Sequence, residues 1–183
     1  MAPAFREFVR TVADLCRLRG GPQDLPHSPP LLAALVVASI VLDGLTGGLL
    51  GNAGDALAHS MLAAAVVLGL AWVELAVRGR SARYVQTATA LAACGIVVSL
   101  AQLPLALLIE LPKDDAAVQE LARDPLQVLL RWFLLASLVW QVLVNATILH
   151  QAVEIRRGIA IVHVLSWLIA YWALESLLFG PAG

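Results

Sequence analysis

Five long apolar stretches constrain this chain more than any other feature. They fall near residues 31–50, 56–77, 84–110, 127–152 and 158–179. Each is close to the roughly 20 residues that a helix rising 1.5 Å per residue needs to cross about 30 Å of hydrocarbon. Hydrocarbon holds no water to satisfy an exposed backbone, so such stretches are expected to cross as α-helices. The expected fold is all-α: a polytopic five-helix transmembrane bundle over 31–183, preceded by an arm and a Pro/Gly connector over 1–30. Composition points the same way, with 60% of residues hydrophobic, 14% charged and a mean hydropathy of +0.83. The third stretch is long and contains Pro104, which predicts a kink or a helix end toward its outer side.

Basic residues outside these stretches give the orientation. The arm carries Arg6, Arg10, Arg17 and Arg19, the 2-3 connection Arg78, Arg80 and Arg83, and the 4-5 connection Arg156 and Arg157. The other side has only Lys113 and Arg123, set among Asp114, Asp115, Glu120 and Asp124. Positive loops stay inside, so the N-terminus is expected in the cytoplasm and the C-terminus in the periplasm of a bacterial inner membrane. A formal net charge of −1, with no basic patch interleaved with aromatics, excludes a nucleic-acid surface.

Residues 4–18 set Phe5, Phe8, Val9, Val12, Leu15 and Cys16 at helical spacing, with Arg6, Arg10, Asp14 and Arg17 around them. This predicts an amphipathic helix lying in the headgroup region, the alternative being a helix packed on the protein itself. The charges leave no apolar core of a signal peptide, so no cleavage is expected. Gly20, Gly21, Pro22, Pro26, Pro29 and Pro30 then predict an irregular connector. Cys16 in the arm and Cys94 in the third stretch are expected at different depths, out of reach of each other.

Ionisable groups inside a span cost about 2.5–3.5 kcal/mol at its centre, so each needs a partner. Asp43, His59, Arg131 and Glu175 fall in the outer half, and Glu74, His150 and His163 toward the cytoplasmic side. Asp43, or else Glu175, is the expected acid for Arg131. Gln141 and Asn145 share a face of the fourth span, while His163, Trp167, Tyr171 and Glu175 run along the fifth at four-residue spacing. The two stripes are expected either to line one cavity or to hydrogen-bond between helices. His150, Glu154 and His163 are candidate metal ligands, set against an ordinary cap and a salt bridge from Glu154 to Arg156 or Arg157; their spacing matches no zinc pattern.

Gly44, Gly47, Gly48 and Gly51 let another backbone approach the first span closely, either within the chain or from a second copy. Trp72, Tyr84, Trp132, Trp172 and Phe179 read as interfacial anchors, Trp140 and Trp167 as packing. No H-E-x-x-H, G-x-S-x-G, phosphate-binding glycine loop or C-x-x-C occurs, so neither an enzyme nor a cofactor is expected.

The element Arg19-Gly20-Gly21-Pro22, followed by five compact spans and almost no tail, resembles the Yip1-domain family in layout. The stretch Arg83-Tyr84-Val85-Gln86-Thr87 is similar to small bacterial membrane proteins grouped near that family. The resemblance implies a membrane scaffold; eukaryotic members act in membrane trafficking and bind small GTPases. The expected function is a non-enzymatic scaffold or accessory subunit. Its partners would be the bilayer and either further copies of itself or another membrane protein. A small channel or transporter component, using Asp43, Arg131, Gln141, Asn145 and Glu175, is the alternative. An intramembrane metal enzyme at His150, Glu154 and His163 comes third.

Overall fold

The computed structural model describes residues 3–51, 54–112 and 114–180, which leaves out Lys113 from the charge count above. The described residues are helical throughout, joined by short turns, with no strand. Helix α1 (Pro3–Cys16) and a 3-10 turn (Pro22–Asp24) form the arm. Then follow α2 (Pro29–Leu49), α3 (Ala56–Val77), α4 (Tyr84–Leu108), the short α5 (Asp115–Arg123), α6 (Pro125–Val153) and α7 (Arg157–Phe179). Five of these, α2, α3, α4 with its leading turn, α6 and α7, are long and apolar enough to cross a membrane.

Local chemistry sets the helix starts. Ser28 caps α2 by accepting from the Leu31 amide, and Asp124 caps α6 by accepting from the Leu126 amide. Pro29, Pro30 and Pro125 occupy first-turn positions, where a missing N–H costs nothing because the helix leaves those donors unused. Pro29 and Pro30 thus belong to α2, although their cluster reads as connector in the sequence. Pro104 removes one helical bond, yet α4 runs on to Leu108 before it ends.

The five long helices pack around a ring in the order α2, α3, α7, α6, α4 and back to α2. Helix α4 is the most enclosed. Eight consecutive residues, Thr87 to Cys94, are buried, and a run that long covers every face of a helix. They are nearly all small, which lets neighbouring backbones come close. Thr87 and Thr89 satisfy their hydroxyls on the carbonyls of Arg83 and Val85 one turn back.

The arm occupies a crevice between α4 and α6. Val12, Leu15 and Cys16 are buried there, whereas Phe5 and Val9 face outward. Trp140 donates its indole N–H to the Cys16 carbonyl at 3.0 Å. Further along, Gln151 donates to the Gly20 carbonyl at 2.9 Å, and Gln86 bridges the carbonyls of Gln23 and Leu25. The arm's apolar stripe is therefore divided: Val12, Leu15 and Cys16 are buried on the protein, Phe8 is partly buried against the same core, and Phe5 and Val9 stay outside.

This docking corrects the expectation for the cysteines. Cys94 lies roughly 15 Å along α4 and Trp140 roughly 20 Å from the end of α6, at 1.5 Å per residue. The last turn of α1 descends to that level, where the Cys16 and Cys94 side chains interact within one buried cluster; both are free thiols. Mild oxidation of the membrane-embedded protein should therefore close an intramolecular Cys16–Cys94 disulfide, seen as a reductant-reversible mobility shift that a Cys94→Ser variant lacks. An arm lying free on the lipid surface would give no such product.

Candidate functional site: polar seams of the bundle

The α3–α7 contact carries two reciprocal histidine–carboxylate pairs. At the end of the bundle that holds the arm, Glu74 of α3 accepts from His163 at 2.8 Å and from the Trp167 indole N–H at 3.0 Å, both on the same oxygen. Its second oxygen is buried without a hydrogen-bond partner. At the opposite end, Glu175 of α7 lies 3.4 Å from His59 of α3 and accepts from the Tyr171 hydroxyl at 3.0 Å. The other ring nitrogen of His59 sits 2.7 Å from the Asp55 carbonyl, and Phe179 stacks on the ring at a centroid distance of 4.3 Å. The antiparallel run of the two helices makes this exchange possible: each contributes one histidine and one acid, at opposite ends. The polar stripe of the fifth span, His163 to Glu175, thus faces α3.

The remaining polar groups separate. Asp43 of α2 accepts a hydrogen bond from Ser99 of α4, and Ser99 also donates to the Gly95 carbonyl. Arg131 donates to the Glu110 carbonyl at 3.2 Å. The expected Asp43–Arg131 and Glu175–Arg131 pairs do not form, because Arg131 turns toward the α4–α5 connection instead. Gln102 donates to Ser137 across α4 and α6 at 2.8 Å. Gln127, buried at the head of α6, holds the end of α4 by accepting from the Glu110 amide and donating to the Leu108 carbonyl. Gln141 and Asn145, one turn apart on α6 and half-buried, have no hydrogen-bond partner among the described residues.

The glycines of α2 are used inside the chain. A Cβ at Gly44 would stand 3.4 Å from the Ser60 hydroxyl and 3.5 Å from the Leu57 Cα, so α2 and α3 approach closely there. Gly47 and Gly48 face Ala56. Gly51 turns the chain at φ +106°, a conformation that favours glycine. Trp72, Trp132 and Trp172 are exposed at the bundle surface, whereas Trp167 is buried.

At the arm end the connections are fastened by one acid. Glu154 caps α6 in a left-handed conformation, φ +58°. Its carboxylate accepts from Arg80 at 2.7 Å and from Arg83 at 2.9 Å, joining the α3–α4 turn to the α6–α7 turn. Arg83 also donates to the Ala152 carbonyl, and His150 bonds the Ile155 carbonyl through one ring nitrogen. A cavity of about 660 Å³ opens beside this clamp, between the arm's 3-10 turn and the start of α7. The three candidate metal ligands have separate partners: His150 a backbone carbonyl, Glu154 two arginines and His163 Glu74. No cluster of three or more His, Cys, Asp or Glu able to hold a metal is found among the described residues.

The sequence reading passed over Glu74 as a site residue, although its depth matches that of His163. It also passed over Arg80 and Arg83 as partners of Glu154, choosing the nearer Arg156 and Arg157. Sequence proximity misled here, since a left-handed cap turns the Glu154 side chain back toward the neighbouring turn.

Arg80 and then Arg83 lower the Glu154 carboxyl from its ordinary 4.5 to about 2. The unfolded chain takes up that proton more readily, so the clamp's contribution is complete above about pH 4.5 and is lost as pH falls toward about 2. Thermal midpoints of the wild type and Glu154→Gln should differ by a constant amount from about pH 5 upward and converge as pH drops through this window. The gap should be small, since the group is solvent-exposed. A gap that persists unchanged at the acid end would trace it to the backbone turn instead of the charge.

No family model, curated protein or solved structure matches the chain.

Proposed function

We propose that the protein is a non-enzymatic scaffold or accessory subunit of the bacterial inner membrane, acting by helix packing with another membrane protein or a second copy of itself. The observation that carries this reading is the pair Gln141 and Asn145. They lie within the span, half-buried, one turn apart and without a hydrogen-bond partner among the described residues. An amide in hydrocarbon is unfavourable until it meets another hydrogen-bonding group, and a facing helix supplies one. Leu138, one turn before Gln141 and on the same face of α6, remains exposed for the same contact.

Other features support the reading. Most of the remaining polar side chains within the spans bond inside the bundle, in pairs that lie apart from one another, which favours packing over conduction. The layout likeness to Yip1-domain proteins agrees with a scaffold. The basic loops favour a cytoplasmic N-terminus and a periplasmic C-terminus. The exposed Phe5 and Val9, beside exposed Arg6 and Arg10, suit the first turns of the arm to the headgroup region.

The test is purification of the tagged chain from its native membrane in mild detergent, with the particle mass and every co-purifying chain identified. The expected result is a stoichiometric partner or homo-oligomer that the double variant Gln141→Leu, Asn145→Leu loses while keeping its thermal midpoint. A monomer that conducts ions or solutes in liposomes, and stops doing so as Asn145→Leu or Asp43→Asn, would replace the scaffold with a channel or transporter component.

A further inference from the structure

We propose that the cavity beside the Glu154 clamp binds a phosphate-bearing anion, and that its occupant is the headgroup of an anionic lipid. The wall holds Arg83, Arg156, His150, Gln23 and Gln151, with Glu154 as its one acid. That acid does not repel an anion in the ordinary way, because Arg80 and Arg83 both close on its carboxylate. With Arg83 and Arg156 in the wall and Arg80 on the same carboxylate from outside it, three positive charges stand against one negative charge and the balance at the cavity is positive.

The groups left over are donors. The Arg156 guanidinium has no partner among the described residues. His150 spends its Nδ1–H on the Ile155 carbonyl and so shapes the wall without adding a donor. Arg156 is also the N-cap of α7, whose first turn has no side-chain cap and no acidic residue, so the positive end of that helix is uncompensated. Gln151 is oriented by its bond to the Gly20 carbonyl and Gln23 by the arm's 3-10 turn, so the arm closes one side of the cavity.

Position selects the source of the phosphate. The cavity lies where α6 ends and α7 begins, at the end of two apolar helices, which is the level of lipid headgroups once those helices cross a bilayer. Basic pockets between spans at this level suit anionic headgroups, and each Lys or Arg near the surface contributes about 1 kcal/mol. A lipid brings its acyl chains alongside the exposed apolar face of α7, including Ile159 and Val162, which a soluble phosphate does not.

The test uses the full chain in nanodiscs of phosphatidylcholine, alone or mixed with phosphatidylglycerol, with retained lipid counted by native mass spectrometry. The wild type should retain phosphatidylglycerol in preference to phosphatidylcholine. Arg156→Gln should weaken that preference about fivefold, the equivalent of one charge. Arg78→Gln removes a charge from the same end but outside the cavity, and should leave the preference unchanged. Equal thermal midpoints verify that each variant folds. Equal losses in Arg156→Gln and Arg78→Gln, or no lipid preference at all, would overturn the site. Displacement of phosphatidylglycerol by excess inorganic phosphate, still dependent on Arg156, would overturn the lipid as occupant and point to a soluble phosphate.

Discussion

Within hydrocarbon a polar group finds a partner in the protein or finds none, and this requirement organises the structure at every level. It makes the backbone helical over each apolar stretch, since only a helix satisfies its own amides. It also determines how the helices meet. Packing among apolar side chains barely distinguishes one neighbour from another in lipid, but a carboxylate or an imidazole does. The α3–α7 side of the ring is tied by Glu74 to His163 and by His59 to Glu175, the α2–α4 side by Asp43 to Ser99, and the α4–α6 side by Gln102 to Ser137. Close approach of α2 to α3 needs no such tie, because Gly44 brings the backbones together.

Helix α4 sits at the centre of this arrangement because its first half is made of small residues that can be buried on every side. The same property gives the arm its berth. Ala90 and Cys94 leave room beside α4, Trp140 and Gln151 of α6 supply donors, and the last turn of α1 fills the space with Val12, Leu15 and Cys16. The arm is thereby a part of the bundle in its second half, while Phe5, Arg6 and Arg10 stay outside.

The spans were legible in the sequence because each depends on local composition alone: all five stretches agree with the observed helices to within two residues at either end, α2 beginning at its own proline pair. The position of each ionisable group along its helix was legible too, as it follows from counting along a span. The choice of partner was not. Nothing in the pattern around Glu175 says that it faces His59 and leaves Arg131 alone, because that depends on which helix neighbours α7 in the ring. Cys16 was misplaced for the same reason. An amphipathic segment looks alike whether its apolar face meets lipid or a crevice of small residues, and the crevice exists only after α4 and α6 have assembled. Gln141 and Asn145 stand out twice, first as a shared face and then as donors and acceptors unmatched among the described residues.

Along the α3–α7 seam the polar residues meet one another and not water. Hydrogen–deuterium exchange of the full chain in nanodiscs tests this most directly, read on peptides from the middle of α3 and α7. The account predicts protection there as long-lasting as in the buried half of α4, since both helices keep their backbone bonds in a dry seam. Rapid exchange confined to the α3 and α7 peptides, with α4 still protected, would mean that water runs between the two histidine–carboxylate pairs and would contradict it.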